Sequence, residues 1–309
     1  MSSIKVLPCM KPVYLSLLLL AMYCVFVPVA FAINCSSEAC ADVGELELSV
    51  AFGAGVRTNP LHTGDNLPLV VVPDIAWYDE HFYLDNTEIG YQWLSSNEFT
   101  FETFVSLNGE RGHFSRGHAS NFFITDGSPG ASVIEDGEGA EPSPTQPGQE
   151  SMGRQTSFLG IDDVAKRDWA IDAGMRLHWY WQENELSIAA YQDVSSVHQG
   201  QQLALSYKRS TSLGKWRISS ALGITWKSQK LLNYYYGIDE RDNVNARWFY
   251  KADSGFFPSV RLSVSRELSE HWRLFTYIKY THLDDAMTES PLVEENETMT
   301  VFGGVTYRF

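Results

Sequence analysis

The strongest constraint on this chain is a period of two. In one stretch Trp169, Ile171, Ala173, Met175, Leu177, Trp179 and Trp181 share one parity, and Asp172, Gly174, Arg176, His178 and Tyr180 share the other. Successive side chains of a strand point to opposite sides, so this alternation predicts a strand with one apolar face. A helix would repeat its apolar residues every three or four positions instead. The same split appears with Leu46, Leu48, Val50 and Phe52, with Phe99, Phe101, Val105 and Leu107, and with Trp272, Leu274, Ile278 and Tyr280. It runs on to a closing strand over 301–309, and eleven such segments can be counted.

The polar faces decide what surrounds these strands. They carry Asp172, Arg176, His178, Lys208, Arg217, Lys227, Arg261, Arg273 and Lys279, while Trp and Tyr gather near strand ends. Polar residues facing a lumen, apolar residues facing lipid and aromatic girdles at both interfaces are the pattern of a transmembrane barrel. The expected fold is all-β, an antiparallel transmembrane β-barrel over 44–309. A closed barrel with both ends on one side needs an even strand number, so twelve strands are expected, with ten as the alternative. The open question lies in 82–93, where Asp85-Asn86 interrupts the alternation.

The beginning of the chain sets its compartment. Lys5 and Lys11 precede an apolar run over 13–27, and Ala30-Phe31-Ala32 supplies a small-x-small cleavage site, so 1–32 is expected to be a cleaved export signal and 33–43 a mature N-terminal segment. Beyond it no apolar stretch is long enough for a membrane helix, so any span must be a strand. Cys35 and Cys40 either close a small loop or stay as two thiols, and their neighbours lack zinc-site spacing. The formal charge of −15, made more negative by loss of Lys5 and Lys11, argues against a nucleic-acid partner. The expected location is the outer membrane of a Gram-negative bacterium, with outer-membrane lipid as the first partner.

With the closing strand ending in the periplasm, the short links 182–185, 211–215 and 269–271 become periplasmic turns. The long links 108–166, 228–254 and 283–297 then face outward, the first as an acidic extracellular loop. Between 117 and 153 there are six acids and no Lys or Arg, together with Pro129, Pro142, Pro144 and Pro147, which reads as a solvated loop ahead of a receptor site.

No catalytic, cofactor-binding or metal-binding residue is expected. Asp193, Ser195 and His198 lie close in sequence but lack a nucleophile-elbow context, so a turn is the expected role. His178 is expected as a hydrogen-bonded lumen residue. Lys208, Arg217, Lys227, Arg261, Arg273 and Lys279 would favour anions in a channel, or would pair with loop acids. The run Tyr234-Tyr235-Tyr236 reads as girdle anchors at a strand end, ahead of an exposed binding patch. Ser290-Pro291-Leu292-Val293 reads as a rigid loop returning to the last strand.

Four motifs in order carry a family resemblance: Tyr235-Tyr236-Gly237 after Tyr234, Ala252-Asp253-Ser254-Gly255, Ser290-Pro291-Leu292-Val293, and Phe302-Gly303-Gly304-Val305-Thr306-Tyr307-Arg308-Phe309. Upstream, the stretch from Asp193 through His198 to Gly200 fits the same order. The chain resembles the MipA/OmpV family of outer-membrane proteins over nearly its whole mature length. The resemblance implies a non-enzymatic scaffolding barrel, linking a lytic murein transglycosylase to a murein synthase, with porin-like and adhesive surface-antigen roles as the alternatives. Val305, Tyr307 and Phe309 resemble the terminal signal read by the barrel assembly machinery.

Overall fold

The computed structural model describes residues 44–121, 123–124 and 158–309, which form one closed antiparallel barrel of twelve strands. In chain order these are β1 (Leu46–Arg57), β2 (Leu67–Tyr78), β3 (Phe82–Asp85), β4 (Glu88–Ser95), β5 (Phe99–Leu107) and β6 (Ile171–Trp181). The second half continues with β7 (Asn184–Asp193), β8 (Gln201–Leu213), β9 (Trp216–Lys227), β10 (Gly255–Glu267), β11 (Trp272–His282) and β12 (Glu297–Arg308). Each strand pairs with its sequence neighbours, and β1 closes on β12 in a register running from Ser49↔Arg308 to Arg57↔Thr300. No described helix is long and apolar enough to cross a membrane. The export segment, Cys35, Cys40 and the greater part of the acidic stretch lie outside the described residues.

The usual burial order is inverted, as closure in lipid requires. On β6, Met175, Leu177 and Trp179 are exposed while Asp172 and Arg176 are buried. Apolar side chains bound for hydrocarbon lie on the outside, and the charged ones are enclosed in the lumen. Aromatic rings ring the short-turn end. Phe82 and Tyr91 lie 4.9 Å apart, Tyr91 and Trp93 4.7 Å, Trp179 and Trp181 4.8 Å, and Trp272 and Tyr307 5.0 Å.

The strand absent from the eleven counted segments is β3. Asp85-Asn86 does not interrupt one strand; it ends β3, and the chain turns into β4. Asn86 takes the left-handed conformation at φ 52°, donates its N–H to the Ile75 carbonyl at 2.8 Å and accepts the Ile75 N–H on Oδ1 at 3.0 Å. Asn tolerates this conformation better than other non-glycine residues do.

The short hairpin leaves the barrel wall low on one side. β2 pairs with β1 from Leu46↔Trp77 up to Arg57↔Leu67, but with β3 only from Ala76↔Asp85 to Tyr78↔Tyr83. The stretch of β2 beyond β3 contains Pro68 and Pro73. Ile75 turns its backbone groups toward the β3 side, so Pro73, two residues on, faces that edge with no N–H to leave unpaired.

The links at the two ends differ in length. Residues 79–81, 96–98, 182–183, 214–215 and 268–271 are short turns at one end, while 108–170, 228–254 and 283–296 are long links at the other. The described parts of these links fold together with helices α1 (Gln229–Tyr236) and α2 (Asp285–Thr288) into a cap with its own apolar core. Leu231, Leu232, Tyr235, Tyr236, Met287 and Leu292 are each 0% exposed in that core. Burial of each such side chain contributes roughly 1.5–3 kcal/mol.

Candidate functional site

The long-loop mouth is where the sequence motifs meet. Tyr235 and Tyr236 are not girdle anchors. The run 229–236 is helical, which turns both rings inward onto the cap core, where Tyr235 and Tyr236 pack at ring distances of 6.1 and 5.8 Å from Phe114. Gly237 ends α1 with its N–H on the Asn233 carbonyl at 3.0 Å, and a Cβ there would stand 2.3 Å from that same oxygen. Ser290 Oγ donates to the Tyr236 carbonyl at 2.7 Å, tying the second motif to the first. Pro291 O accepts the Leu159 N–H, Leu292 O accepts the His62 N–H, and Val293 bridges to Leu61. Gly255 opens β10 against Asp284, whose carboxylate accepts the N–H groups of Phe256 and Ala286 at 2.9 Å each. These motif residues hold the cap closed.

The cap is latched to the wall through an inserted 3-10 turn, Gly109–His113. Glu110 on this turn accepts the Lys227 ammonium from β9 on Oε1 and the Tyr236 hydroxyl on Oε2 at 2.6 Å. With the Tyr236 proton given to Glu110, the contact of His113 Nδ1 with the same hydroxyl at 2.8 Å is a donation from the ring N–H. Burial alone would raise the Glu110 carboxyl, but Lys227, His113 and the Tyr236 hydroxyl outweigh it and hold it down at about 2. Burial lowers the His113 imidazole to about 4 against the pull of Glu110. His118 is likewise lowered to about 4, by burial and then by Arg111. A second buried pair lies in the cap: Arg167 Nη1 to Asp242 Oδ1 at 2.7 Å, with Arg167 also donating to the Tyr235 and Gly237 carbonyls. Burial raises the Asp242 carboxyl, but the hydrogen bonds from Arg167 and the Asp239 amide lower it below its ordinary value overall. Glu110, His113, Arg167 and Asp242 escape sequence reasoning, because nothing local marks a loop acid whose partners lie far along the chain.

The lumen is divided by charge. On the β4–β6 side Arg176 bridges Glu88 at 2.8 Å and Glu102 at 2.7 Å, with its guanidinium 4.3 Å from the Phe104 ring centre. His178 meets Glu185 at 2.8 Å and Glu102 at 3.6 Å, and Lys208 meets Glu185 at 3.6 Å. Across the barrel the register sets Arg57, Thr300, Lys279 and Arg261 in one transverse row on β1, β12, β11 and β10. Arg273 pairs with Glu267 at 2.5 Å, and Arg217 lies exposed near the short-turn end beside Ser212 and Ser265.

Asp172 stands apart from His178. Its Oδ2 accepts from Asn108 at 2.7 Å and Gln202 at 3.2 Å, and its Oδ1 faces His198 Nε2 at 3.3 Å. Asp172, Asp193 and His198 place one potential metal-ligand atom each within 4.8 Å of one another. The Gly200 N–H donates to His198 Nδ1 at 3.0 Å, so the ring proton of the neutral imidazole sits on Nε2. Asp193 is taken by the amides of Ser195, His198 and Gln199 and by the Ser195 hydroxyl at 2.6 Å. Ser195 and His198 are thus each engaged elsewhere, and the group ties a loop rather than building a nucleophile. At the closing strand, Val305 pairs with Phe52 on β1 and with Leu274 on β11, the Phe309 N–H donates to the Leu48 carbonyl at 3.0 Å, and the Phe309 ring lies 5.0 Å from Tyr307.

A family model described as MltA-interacting protein MipA matches residues 50–309. The chain belongs to the MipA family. Among its MipA-family and outer-membrane relatives, the outer membrane protein YiaT of Escherichia coli (strain K12) is 29% identical over 152 residues, 48% of this chain and 61% of YiaT. The MltA-interacting protein of Escherichia coli (strain K12) is 28% identical over 97 residues, 31% of this chain and 39% of that protein. Outer membrane protein Omp26La of Vibrio anguillarum is 24% identical over 155 residues, 50% and 60% of the two chains. The chain thus spans under two thirds of the length of these relatives. Among solved structures, the COG4313 outer membrane channel from Pseudomonas putida F1 covers 90% of this chain and 100% of its own at 9% identity and a TM-score of 0.31. This MipA-family chain is an outer-membrane β-barrel, and its relatives are named as outer membrane proteins.

Proposed function

We propose that this protein is a structural barrel of the Gram-negative envelope, with its short-turn end in the periplasm as the face it offers to partners. The carrying observation is the capped mouth: a loop core with Tyr235, Tyr236 and Leu292 at 0% exposure, latched to the wall through Glu110 and Lys227. A barrel whose far mouth is packed like a protein interior serves better as an anchored platform than as a pore. The relative named MltA-interacting protein supports a lytic murein transglycosylase as the partner class, and the family resemblance adds a murein synthase as the second proposed partner. Crosslinking in intact cells tests this. Recovery of a murein enzyme on the short-turn residues is the expected result; its absence, where other envelope complexes are captured, overturns the reading.

Insertion would rest on the barrel assembly machinery reading Val305, Tyr307 and Phe309. Loss of Phe309 should lower the yield of heat-modifiable, membrane-inserted protein, and an unchanged yield counts against that role.

The row Arg57, Lys279 and Arg261 favours a second reading, a narrow anion-preferring channel. Planar-bilayer recording separates the two. The structural reading expects no reproducible conductance steps, and anion-selective steps would replace it with the channel.

A further inference from the structure

The register sets two cations directly opposite each other. Lys279 on β11 pairs with Arg261 on β10 on the lumen face, a cross-strand arrangement that is unfavourable unless negative charge lies nearby. On the other side Lys279 faces Thr300 of β12, which faces Arg57 of β1. Two positions further up, Thr281 faces Thr298 on the same parity and hence the same face.

Arg57, Lys279, Thr281, Thr298 and Thr300 line a cavity of about 70 Å³, together with Leu283 and Met287 of the cap. Room for one water requires about 10–15 Å³ on this measure, so the space takes several waters or one small oxyanion. Glu110 is the carboxylate among the described lining residues, and both its oxygens are engaged, by Lys227 and Tyr236. Among the described residues Lys279 has no ion-pair or hydrogen-bond partner, and none is recorded for the hydroxyls of Thr281, Thr298 and Thr300. An ammonium and three hydroxyls thus share one wet cavity beside a guanidinium, with their donors unused. Cation and hydroxyl donors gathered around a small space suit a tetrahedral oxyanion, whose several oxygens accept charge-assisted hydrogen bonds.

We propose that Lys279, Arg57, Thr281, Thr298 and Thr300 form a lumen site for a soluble phosphate-class oxyanion, inorganic phosphate or a small phosphomonoester. The site lies inside the barrel beneath the cap, so a lipid headgroup on the outer surface does not reach it. Nothing in it depends on whether the lumen conducts. The bound anion supplies a countercharge to Lys279.

The test is calorimetric titration of inorganic phosphate into the full chain folded in detergent, at constant ionic strength set with chloride, with heat-modifiable mobility confirming the fold of each variant. The expected result is saturable one-to-one binding, weakened at least about tenfold in Lys279→Met and about threefold in Thr300→Val, and unchanged in Lys208→Met, whose ammonium lies beside Glu185. Sulfate should compete, and acetate at equal concentration should not. If Lys279→Met fails to fold, Lys279→Gln and Thr298→Val carry the comparison. Absence of saturable binding, wild-type affinity in the folded Lys279 variant, or acetate competing as well as sulfate would each overturn the site.

Discussion

Tyr236 Oη donates a 2.6 Å hydrogen bond to Glu110 Oε2, while Lys227 takes the other oxygen of the same carboxylate. A cap helix and a wall strand are joined by one acid on an inserted turn, at sequence separations of 126 and 117 residues. Glu110→Gln leaves Lys227 buried without its partner and should cost about 3–5 kcal/mol. Tyr236→Phe removes one hydrogen bond to a charged group and should cost about 1.5–3 kcal/mol. Hydrogen exchange of α1 checks the order, with faster exchange in Glu110→Gln than in Tyr236→Phe. The reverse order would show that the latch rests on the hydroxyl.

The cap should loosen in mild acid. His113 and His118 have folded values near 4 against an ordinary 6.5, so between those limits the opened state binds more protons than the closed one. Stability from these two residues is full above pH 6.5 and falls as pH drops toward 4. Glu110, held near 2 from an ordinary 4.5, adds stability above pH 4.5 that is lost as pH falls toward 2. Protease nicking of the 228–254 link should rise first in the histidine window, and His113→Gln together with His118→Gln should flatten that rise.

Arg167 and Asp242 form a pair with side chains 1% and 0% exposed. Arg167→Met leaves the Asp242 carboxylate without its counter-ion and should cost about 3–5 kcal/mol, whereas adding Asp242→Asn should restore part of that loss. The midpoint of cap proteolysis in urea, measured over the four members of the cycle, gives the coupling. A double variant no better than Arg167→Met would show that the carbonyl contacts of Arg167 carry the effect.

The β3–β4 turn depends on Asn86. Asn86→Ala and Asn86→Gly both lose the hydrogen bond to the Ile75 amide, but only the alanine strains the left-handed backbone. Both should destabilise by about 1–2 kcal/mol, with the alanine worse by roughly 1 kcal/mol. Urea midpoints of the folded barrel test this, and equal midpoints would show that the turn carries no conformational strain.

The short links expected at 182–185, 211–215 and 269–271 and the long link expected at 228–254 overlap the turns 182–183, 214–215 and 268–271 and the loop 228–254, because period-two alternation stops near a strand end and is visible locally, but 184–185 and 211–213 are strand. β3 was not legible. Four residues ending in Asp85 hold too few repeats to separate a short strand from a break. The tyrosine run was misread for a related reason, since an aromatic beside a strand end looks the same in sequence whether it faces lipid or turns into a cap. Pairing partners of the lumen charges were equally hidden: Arg176 meets Glu88 across 88 residues, and Lys227 meets a loop acid rather than a wall acid.

By itself the sequence determined that this chain is a barrel with apolar outer and polar inner faces, because side-chain direction along a strand is set residue by residue. Tertiary structure alone decided that one mouth is closed, which carboxylate latches it, and which cations share a row. Those are properties of register and loop packing, in which residues more than a hundred positions apart meet only once the sheet has closed.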